Sequence, residues 1–238
     1  MADFKTAHLI SGGNEGGYVN DPNDLGGETY RGISRKYNPG WFGWPVVDQY
    51  KNVYQLHKGF TDPKLDRLAE LFYKENFWNS PFNLDISTNQ QNANIIYDET
   101  FNGPARAVKI VKDILNKKFG KHYPIDSSSN LSLIVDINAA NPEVFFNEFK
   151  KYRTANFKFL AASLPAADPL YNFFESIGNK QRSANQMYLN GWLNRVNKYV
   201  WSPITEAANY ATTEVKKKPL ASALIALGII FLIFSKSK

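Results

Sequence analysis

The sequence predicts a mainly α-helical protein with one small β-hairpin, a helical C-terminal unit and a terminal transmembrane helix. Several prolines stand where helices begin, apolar residues recur every three to four positions, and strand-like alternation is scarce. At 238 residues, with 43% hydrophobic and 15% aromatic residues, the chain is long and apolar enough to bury a core. We therefore expect a folded chain of the α+β class rather than a disordered one.

The net charge of +6 and the isoelectric point near 9.2 would suit a nucleic-acid or membrane partner. Five lysines lie close together at the C-terminus, however, so residues 1–215 carry a net charge of only +1. This near-neutral globular part argues against nucleic acid as a partner. The absence of cysteine excludes disulfides, thiolate catalysis and cysteine-ligated metal sites. The five lysines are Lys216, Lys217, Lys218, Lys236 and Lys238.

The N-terminal region predicts a short helix followed by a hairpin. Residues 3–11 can form a helix that stops at Gly12 and Gly13, because glycine commonly ends helices. Between Tyr18 and Ile33, glycines and an Asn-Asp-Pro string separate short segments, which is typical of turns between strands.

Four later helices are predicted to begin with a small or capping residue followed by proline. The helix after Pro104 has an apolar face opposite its lysines and ends near Gly120, and the helix after Pro142 carries an aromatic stripe. A last helix follows Gly178 and extends towards Tyr199. We interpret these stripes as core. The four starts are Asp62-Pro63, Gly103-Pro104, Asn141-Pro142 and Asp168-Pro169.

The last predicted element is a membrane anchor at residues 219–235. Residues 220–234 contain no charge, and lysines stand on both sides of them. At about 1.5 Å per residue they span roughly 23 Å, less than a hydrocarbon core of about 30 Å, which leaves a buried core helix as the alternative. We favour the anchor because the flanking lysines can reach the headgroups and make up the missing length. Residues 202–218 are the basic connector to it.

Residues 15–34, EGGYVNDPNDLGGETYRGIS, combine five glycines with four carboxylates, and we call this stretch the acidic signature. Asp21 and Asp24 are also ordinary turn formers, so part of the pattern has a purely structural interpretation. Neither the ligand spacing of an EF-hand nor the cation of a phosphate-binding loop is present. Glu15 would stand just beyond the first helix, where the helix dipole and partial burial raise a carboxyl pKa. A protonated glutamic acid can serve as the general acid of glycoside cleavage.

The acidic signature resembles that of glycoside hydrolase family 108, whose members are phage-type lysozymes (N-acetylmuramidases) acting on peptidoglycan. The resemblance implies a lysozyme-like catalytic domain over residues 1–120, with Glu15 as the catalytic acid. It also implies that Asp24 and Thr29 hold and activate the attacking water. This chemistry requires no metal or organic cofactor. One departure is Leu25, where the family usually has proline.

The resemblance continues beyond the acidic signature and adds candidate substrate-binding residues. The block IIYDETFNGPARAVKIVKDIL looks like the family's cleft floor and includes Asp98 and Asn102. Asp98 is then either a cleft residue or a carboxylate on a helix surface. Tyr18, Asp21 and Tyr30 are the other candidates, and the two tyrosines either stack on sugars or pack in the hairpin. Residues 121–201, with the string NGWLNRV, look like the family's helical peptidoglycan-binding unit.

The predicted function is cleavage of peptidoglycan glycan strands between N-acetylmuramic acid and N-acetylglucosamine by an enzyme anchored in a lipid bilayer. A lytic transglycosylase, which needs only one glutamate, and a catalytically silent glycan-binding adaptor are the alternatives. No secretory signal is visible. The enzyme would therefore meet the cell wall during phage lysis, or from the membrane of a virus particle beside virion structural proteins. We favour the virion, because an anchor retains an enzyme there.

Overall fold

The computed structural model describes residues 1–12, 16–21 and 26–203. Helices make up most of this part of the chain, and a small sheet lies near the N-terminus, as the sequence predicts. Within these ranges no helix combines the length and the apolar character that crossing a bilayer requires. The predicted anchor at 219–235 and residues 204–218 of the connector lie outside the described residues. The elements are α1 (Phe4–Ile10), β1 (Tyr18–Val19), β2 (Thr29–Tyr30), β3 (Ile33–Ser34), α2 (Trp44–Val53), α3 (Pro63–Tyr73) with a π-helical extension (Lys74–Asn79), a 3-10 turn (Leu84–Ile86), α4 (Gln90–Asn102), α5 (Pro104–Phe119), α6 (Leu131–Ala139), α7 (Pro142–Leu160), α8 (Tyr171–Ser176), a 3-10 turn (Ser183–Asn185) and α9 (Gln186–Asn197).

The sheet has the order β1-β2-β3, and both strand pairs are antiparallel. Because side chains alternate across a strand, the register sorts them onto two faces. Tyr18, Tyr30 and Ile33 lie opposite one another on one face and are buried in the core. Thr29 lies on the other face. The hairpin predicted between Tyr18 and Ile33 is confirmed, with one strand more than a hairpin needs.

The turn between β2 and β3 consists of Arg31 and Gly32, which both have a positive φ, of 45° and 81°. Two such residues form the tight turn whose twist matches that of paired strands. The Tyr73 hydroxyl donates to the Arg31 carbonyl at 2.7 Å. A Cβ on Gly32 would lie 2.9 Å from that hydroxyl oxygen. Both φ and space therefore require glycine at position 32.

Gly17 lies just before β1, where the chain packs closely against the backbone of Gly59 and Phe60. The Tyr18 N–H donates to the Phe60 carbonyl and the Gly59 N–H donates to the Tyr18 carbonyl, both at 2.8 Å. A Cβ at Gly17 would lie 2.5 Å from the Phe60 carbonyl oxygen. We expect Gly17→Ala to lower the free energy of unfolding by about 1–3 kcal/mol, because backbone has to shift to relieve the overlap.

Urea unfolding of Gly17→Ala beside Gly40→Ala checks this expectation. Gly40 is the matched control, because a Cβ there would meet nothing within 4 Å. Equal stability of the two variants would contradict the close approach at β1.

Helix α4 is central to the fold. All residues from Gln91 to Thr100 are buried, and α1, α5 and α7 pack around the helix. His8 of α1 meets Tyr97 of α4, with 2.8 Å between the imidazole Nδ1 and the hydroxyl oxygen. Hydrophobic patterning does not reveal this helix as core, because most of its buried residues are polar.

The residues after position 120 pack onto the same core as those before it. Helix α7 contacts both α4 and α5, and α9 packs on α7. One hydrophobic cluster includes Ile95 and Ile110 from the first part and Phe145 and Phe174 from the second. The predicted units 1–120 and 121–201 therefore share one hydrophobic core.

Three of the four proline-initiated helices, α3, α5 and α7, begin at their predicted prolines. Helix α5 ends at Phe119, next to the predicted Gly120, which is its C-cap and has a φ of 66°. The helix start predicted at Asp168-Pro169 is wrong. The Asp168 carboxylate accepts a hydrogen bond from the Leu170 N–H at 2.8 Å within a turn, and α8 begins only at Tyr171.

Candidate active site

The acidic signature runs from just after α1 to the end of β3. Glu15 and Asp24 lie outside the described residues. The short helix predicted before Glu15 is confirmed in α1, which ends at Ile10 and is followed by Ser11 as its C-cap. Glu15 comes four residues after Ser11 in the sequence. The raised pKa that we expect for its carboxyl stays a prediction.

Thr29, the third predicted catalytic residue, lies half-buried in β2. Its hydroxyl donates to the Gly27 carbonyl at 3.0 Å. A hydroxyl that donates its one proton still has lone pairs that accept hydrogen bonds. Thr29 can therefore accept a hydrogen bond from a water molecule, which suits a residue that orients a nucleophile. The catalytic role itself stays a prediction.

Glu28 of the acidic signature belongs to an ionic cluster that joins the sheet to α2. Its carboxylate accepts hydrogen bonds from Tyr18, Arg35 and Lys51, each at 2.8 Å. Arg35 also pairs with Asp48 on α2 at 2.6 Å. Burial alone would raise the pKa of Glu28, but the three hydrogen bonds, led by that from Lys51, outweigh it and hold the pKa below its ordinary value. Glu28 is therefore ionised at neutral pH and unsuited to donate a proton.

The lowered pKa of Glu28 makes the stability of the fold depend on pH. A carboxylate with a depressed pKa stabilises the folded state above its unfolded pKa of about 4.3, and this contribution is lost as the pH falls through the folded value. We expect the free energy of unfolding to decline below about pH 4. Glu28→Gln should remove part of that decline.

Urea unfolding at several pH values checks the effect. Glu175→Gln, at an exposed residue of α8, is the matched control and should decline with acidification as the wild type does. A decline in Glu28→Gln as steep as that of the wild type would contradict the assignment.

An open cavity of about 550 Å³ lies beside β1. Two predicted substrate-binding residues, Tyr18 and Asp21, line it together with Tyr54 and Lys58. Tyr18 is only 4% exposed, and burial and its hydrogen bond to Glu28 raise its pKa to about 12. The fold brings Tyr18 and Asp21 together, while contact of either residue with a sugar stays a prediction. Within the described ranges, no group of three His, Asp or Glu side chains is arranged to hold a metal ion.

Tyr30 belongs to the core rather than to a sugar-binding surface. Its side chain is 0% exposed and stacks on Trp41, with ring centroids 5.8 Å apart. Its hydroxyl donates to the Asp66 carboxylate at 2.6 Å, and Asp66 also pairs with Arg31. A ring without exposed surface cannot stack on a sugar. Of the two interpretations of Tyr30, packing is therefore the one that the structure supports.

Asp98 is buried in the middle of the fold, so it is neither a cleft residue nor a surface carboxylate. It is 0% exposed and pairs with Arg153 of α7 and, at 2.6 Å, with Arg195 of α9. Burial alone would raise its pKa, but the hydrogen bonds from Arg195 and the charge of Arg153 keep it below the ordinary value. Asp98 is thus a structural anion. Asn102 is exposed at the end of α4, and its side-chain amide donates to the Asp98 carbonyl.

Asp98 is one of five charged side chains, which we call the buried charge cluster, that join α4, α5, α7 and α9. Glu99 is also 0% exposed and pairs with Arg153 and Arg106. Sequence reasoning missed this cluster because the partners lie up to 97 residues apart in the chain. One signal was available. Arg153 interrupts the aromatic stripe of α7, and an arginine in such a position requires buried anions. Its members are Asp98, Glu99, Arg106, Arg153 and Arg195.

The family model described as glycosyl hydrolase 108 matches residues 12–103. The match contains Glu15, Asp24 and Thr29 and extends to the end of α4. Residues 12–103 are thus similar to the family that the acidic signature resembles, and this similarity supports glycoside hydrolase activity. No curated protein sequence matches the chain. Among solved structures, SagA of Brucella abortus aligns with a TM-score of 0.44 and 18% identity, over 84% of this chain and 97% of that chain.

Proposed function

We propose that the chain is a peptidoglycan hydrolase of the muramidase type. Its substrate is the β-1,4 bond between N-acetylmuramic acid and N-acetylglucosamine. The observation that carries this proposal is the match of residues 12–103 to glycosyl hydrolase 108, with the complete acidic signature inside the match. Glu15, Asp24 and Thr29 are the three residues to which we assign the chemistry.

Glu15 is the general acid of the proposed reaction. It donates a proton to the glycosidic oxygen while the bond from that oxygen to the anomeric carbon breaks, and positive charge develops on the sugar ring. A water oxygen then bonds to the anomeric carbon, and Asp24 accepts the proton that the water loses. The products are one strand with a new reducing end and one strand with a free hydroxyl. The separation of the two carboxylates decides between retention and inversion.

Two features of the described residues, and the position of Glu15 in the sequence, support these roles. The Thr29 hydroxyl donates its only hydrogen bond to the Gly27 carbonyl, so its lone pairs can accept a hydrogen bond from a water molecule. Three hydrogen-bond donors keep the Glu28 carboxylate ionised, so Glu28 is excluded as the general acid. Glu15 follows the C-terminus of α1, the negative end of a helix dipole, which favours the protonated form of a nearby carboxyl.

Digestion of purified peptidoglycan by the full-length protein in detergent tests this proposal. Soluble fragments that end in reducing N-acetylmuramic acid are the expected products. Anhydro-muramic ends would identify a lytic transglycosylase instead. Binding to peptidoglycan without any fragment would identify a glycan-binding adaptor.

We also propose that residues 219–235 anchor this enzyme in a bilayer, either in a phage particle or in a host membrane at lysis. The stretch contains no charged side chain and is flanked by lysines, which supports insertion with the lysines at the headgroups. Retention of the protein in purified particles until detergent is added is the expected result. Absence from the particles favours the lysis role, and release from membranes by salt alone contradicts the anchor.

A further inference from the structure

A second cavity, of about 250 Å³, lies between the junction of α4 with α5 and the chain at the end of α8. Its wall includes Gly103, Arg106 and Lys109 on one side and Ile177 and Asn179 on the other. Two of these residues are cations, and no aspartate or glutamate of the described chain lines the cavity. A water molecule takes up about 30 Å³ in the liquid, so the space admits a group of several non-hydrogen atoms. We call it the cationic cavity.

The Arg106 guanidinium uses only one of its three nitrogens within the protein. Its Nε donates to the buried Glu99 carboxylate at 2.7 Å. Neither Nη atom has a hydrogen-bond partner among the described residues, and the side chain is 18% exposed. The two Nη groups of a guanidinium carry parallel N–H bonds that match the two oxygens of a carboxylate or a phosphate. Arg106 therefore has an unused bidentate donor.

Gly103 makes room for this guanidinium. A Cβ at position 103 would lie 2.8 Å from Cζ and Nη2 of Arg106 and 2.9 Å from Nη1. Gly103 has a φ of −179°, an extended value that any residue adopts, so space rather than backbone conformation favours glycine here. Since Gly103 lines the cavity and both Nη atoms lie beside it, the unused N–H groups are at the cavity wall.

Positive charge exceeds negative charge around the cationic cavity. The buried charge cluster, to which Arg106 belongs, contains three arginines and two carboxylates. Lys109 adds a fourth cation. Its ammonium donates to the Ile177 carbonyl at 3.3 Å and has no ion-pair partner in the part of the chain that the structure describes. A surplus of two positive charges beside a buried core attracts an anion, because a low dielectric strengthens the attraction.

We propose that the cationic cavity binds a carboxylate through Arg106 and Lys109, and that this carboxylate belongs to a peptide stem of peptidoglycan. The choice of the peptide stem rests on the proposed function, since these stems branch from the glycan strands and carry carboxylates. Pro104, Ala105 and Ile177 add an apolar wall that suits the aliphatic part of a stem. The enzyme thus recognises its substrate by the peptides as well as by the sugars. A phosphate group offers a guanidinium the same chemistry, so the test includes phosphates.

Isothermal titration calorimetry of the full-length protein in detergent tests the site. The probe is the soluble stem tripeptide of L-alanine, γ-linked D-glutamate and L-lysine. We expect this tripeptide to bind, and the same tripeptide with both carboxylates converted to amides to show no binding. Inorganic phosphate and glycerol phosphate are the comparison ligands. Tighter binding of either phosphate than of the tripeptide, or no binding of the tripeptide, would overturn the inference.

Three variants locate the binding in the cationic cavity. Arg106→Met should weaken tripeptide binding by roughly tenfold to hundredfold, the usual effect of losing hydrogen bonds to a charged group. Lys109→Met should weaken it by about tenfold and leaves the buried charge cluster intact, so it remains informative if Arg106→Met folds poorly. Gly103→Ala keeps both charges but displaces the guanidinium, and it should also weaken binding.

Lys180→Met is the matched control for the loss of a cation. Lys180 is exposed and follows Asn179, but it does not line the cavity. Its removal should change the dissociation constant by less than about twofold, because exposed charges are screened. Equal losses in Lys180→Met and Lys109→Met, or wild-type affinity in Lys109→Met, would overturn the inference.

Hydrolysis of peptidoglycan separates this inference from the proposed function. If the wild type leaves peptidoglycan intact, the proposed function fails, while calorimetry still decides whether the cavity binds the tripeptide. With an active wild type, we expect Lys109→Met to raise KM on intact peptidoglycan rather than to lower kcat, because a contact that binds substrate and transition state equally affects KM. A loss confined to kcat would contradict a binding role for the cavity.

Discussion

Glu15→Gln is expected to lower the rate of peptidoglycan hydrolysis by about two to four orders of magnitude, the usual contribution of a general acid. The amide of glutamine is close to the carboxyl in size and shape but has no acidic proton to give to the leaving oxygen. Binding of the glycan strand should survive, so the loss should appear in kcat rather than in KM. Initial rates of fragment release, measured on soluble peptidoglycan strands, give both constants.

Glu28→Gln is the matched control for this experiment. Glu28 lies in the same acidic signature, but its hydrogen bonds to Arg35 and Lys51 keep it ionised and give it a structural role. We expect this variant to keep most of the activity at neutral pH and to lose some stability. Full activity of Glu15→Gln together with loss in Glu28→Gln would reverse the assignment of the acid.

Asp98→Asn is expected to lower the free energy of unfolding by about 3–5 kcal/mol, the usual cost of removing one partner of a buried ion pair. The substitution changes little volume but removes the negative charge that faces Arg153 and Arg195. Arg153 is 0% exposed, so water cannot replace the lost partner. Denaturant unfolding followed by tryptophan fluorescence measures the difference, because the core contains buried tryptophans such as Trp78.

Asp48→Asn provides the comparison for this loss. Asp48 pairs with Arg35 at 2.6 Å, but both side chains are more than a third exposed, at 44% for Asp48 and 35% for Arg35. Exposed ion pairs contribute at most about 1 kcal/mol. A loss in Asp98→Asn no greater than in Asp48→Asn would contradict the view that the buried charge cluster ties α4 to α7 and α9.

Local signals made much of the fold predictable from the sequence. A helix start depends on a cap and a proline that are adjacent in the chain, and this is why α3, α5 and α7 were placed correctly. The same holds for the end of α5 at Gly120 and for the sheet, whose glycine turns lie within the acidic signature. At Asp168-Pro169 the local signal misled, because the aspartate closes a turn with Leu170 instead of capping a helix.

Contacts between distant residues were the part that the sequence could not supply. Hydrophobic periodicity identifies a core by its apolar residues, whereas α4 is buried with Asp98 and Glu99 inside the fold. Their arginine partners become apparent only when α7 and α9 pack on α4. For Tyr30, too, the sequence alone did not show whether the side chain is buried or exposed. The face of a strand that turns inwards depends on what covers the sheet.

The candidate site likewise has a part that local sequence signals predict and a part that depends on contacts between distant residues. The composition and order of residues in the acidic signature were sufficient to indicate glycoside chemistry and the family. Arg195 was visible only as part of the string NGWLNRV, and no local pattern connects it to Ser11. The hydrogen bond from Arg195 to the Ser11 carbonyl joins residues 184 positions apart in the chain, so it becomes visible only with the structure.

Hydrolysis of purified peptidoglycan in water enriched in heavy oxygen tests the central claim most directly. Fragments are reduced immediately after digestion and identified by mass. If the chain is a muramidase, each new end is a muramic acid that carries the heavy oxygen at its anomeric carbon, and Glu15→Gln releases such fragments about two to four orders of magnitude more slowly. Unlabelled anhydro-muramic ends, labelled N-acetylglucosamine ends, or equal release by Glu15→Gln would contradict the account.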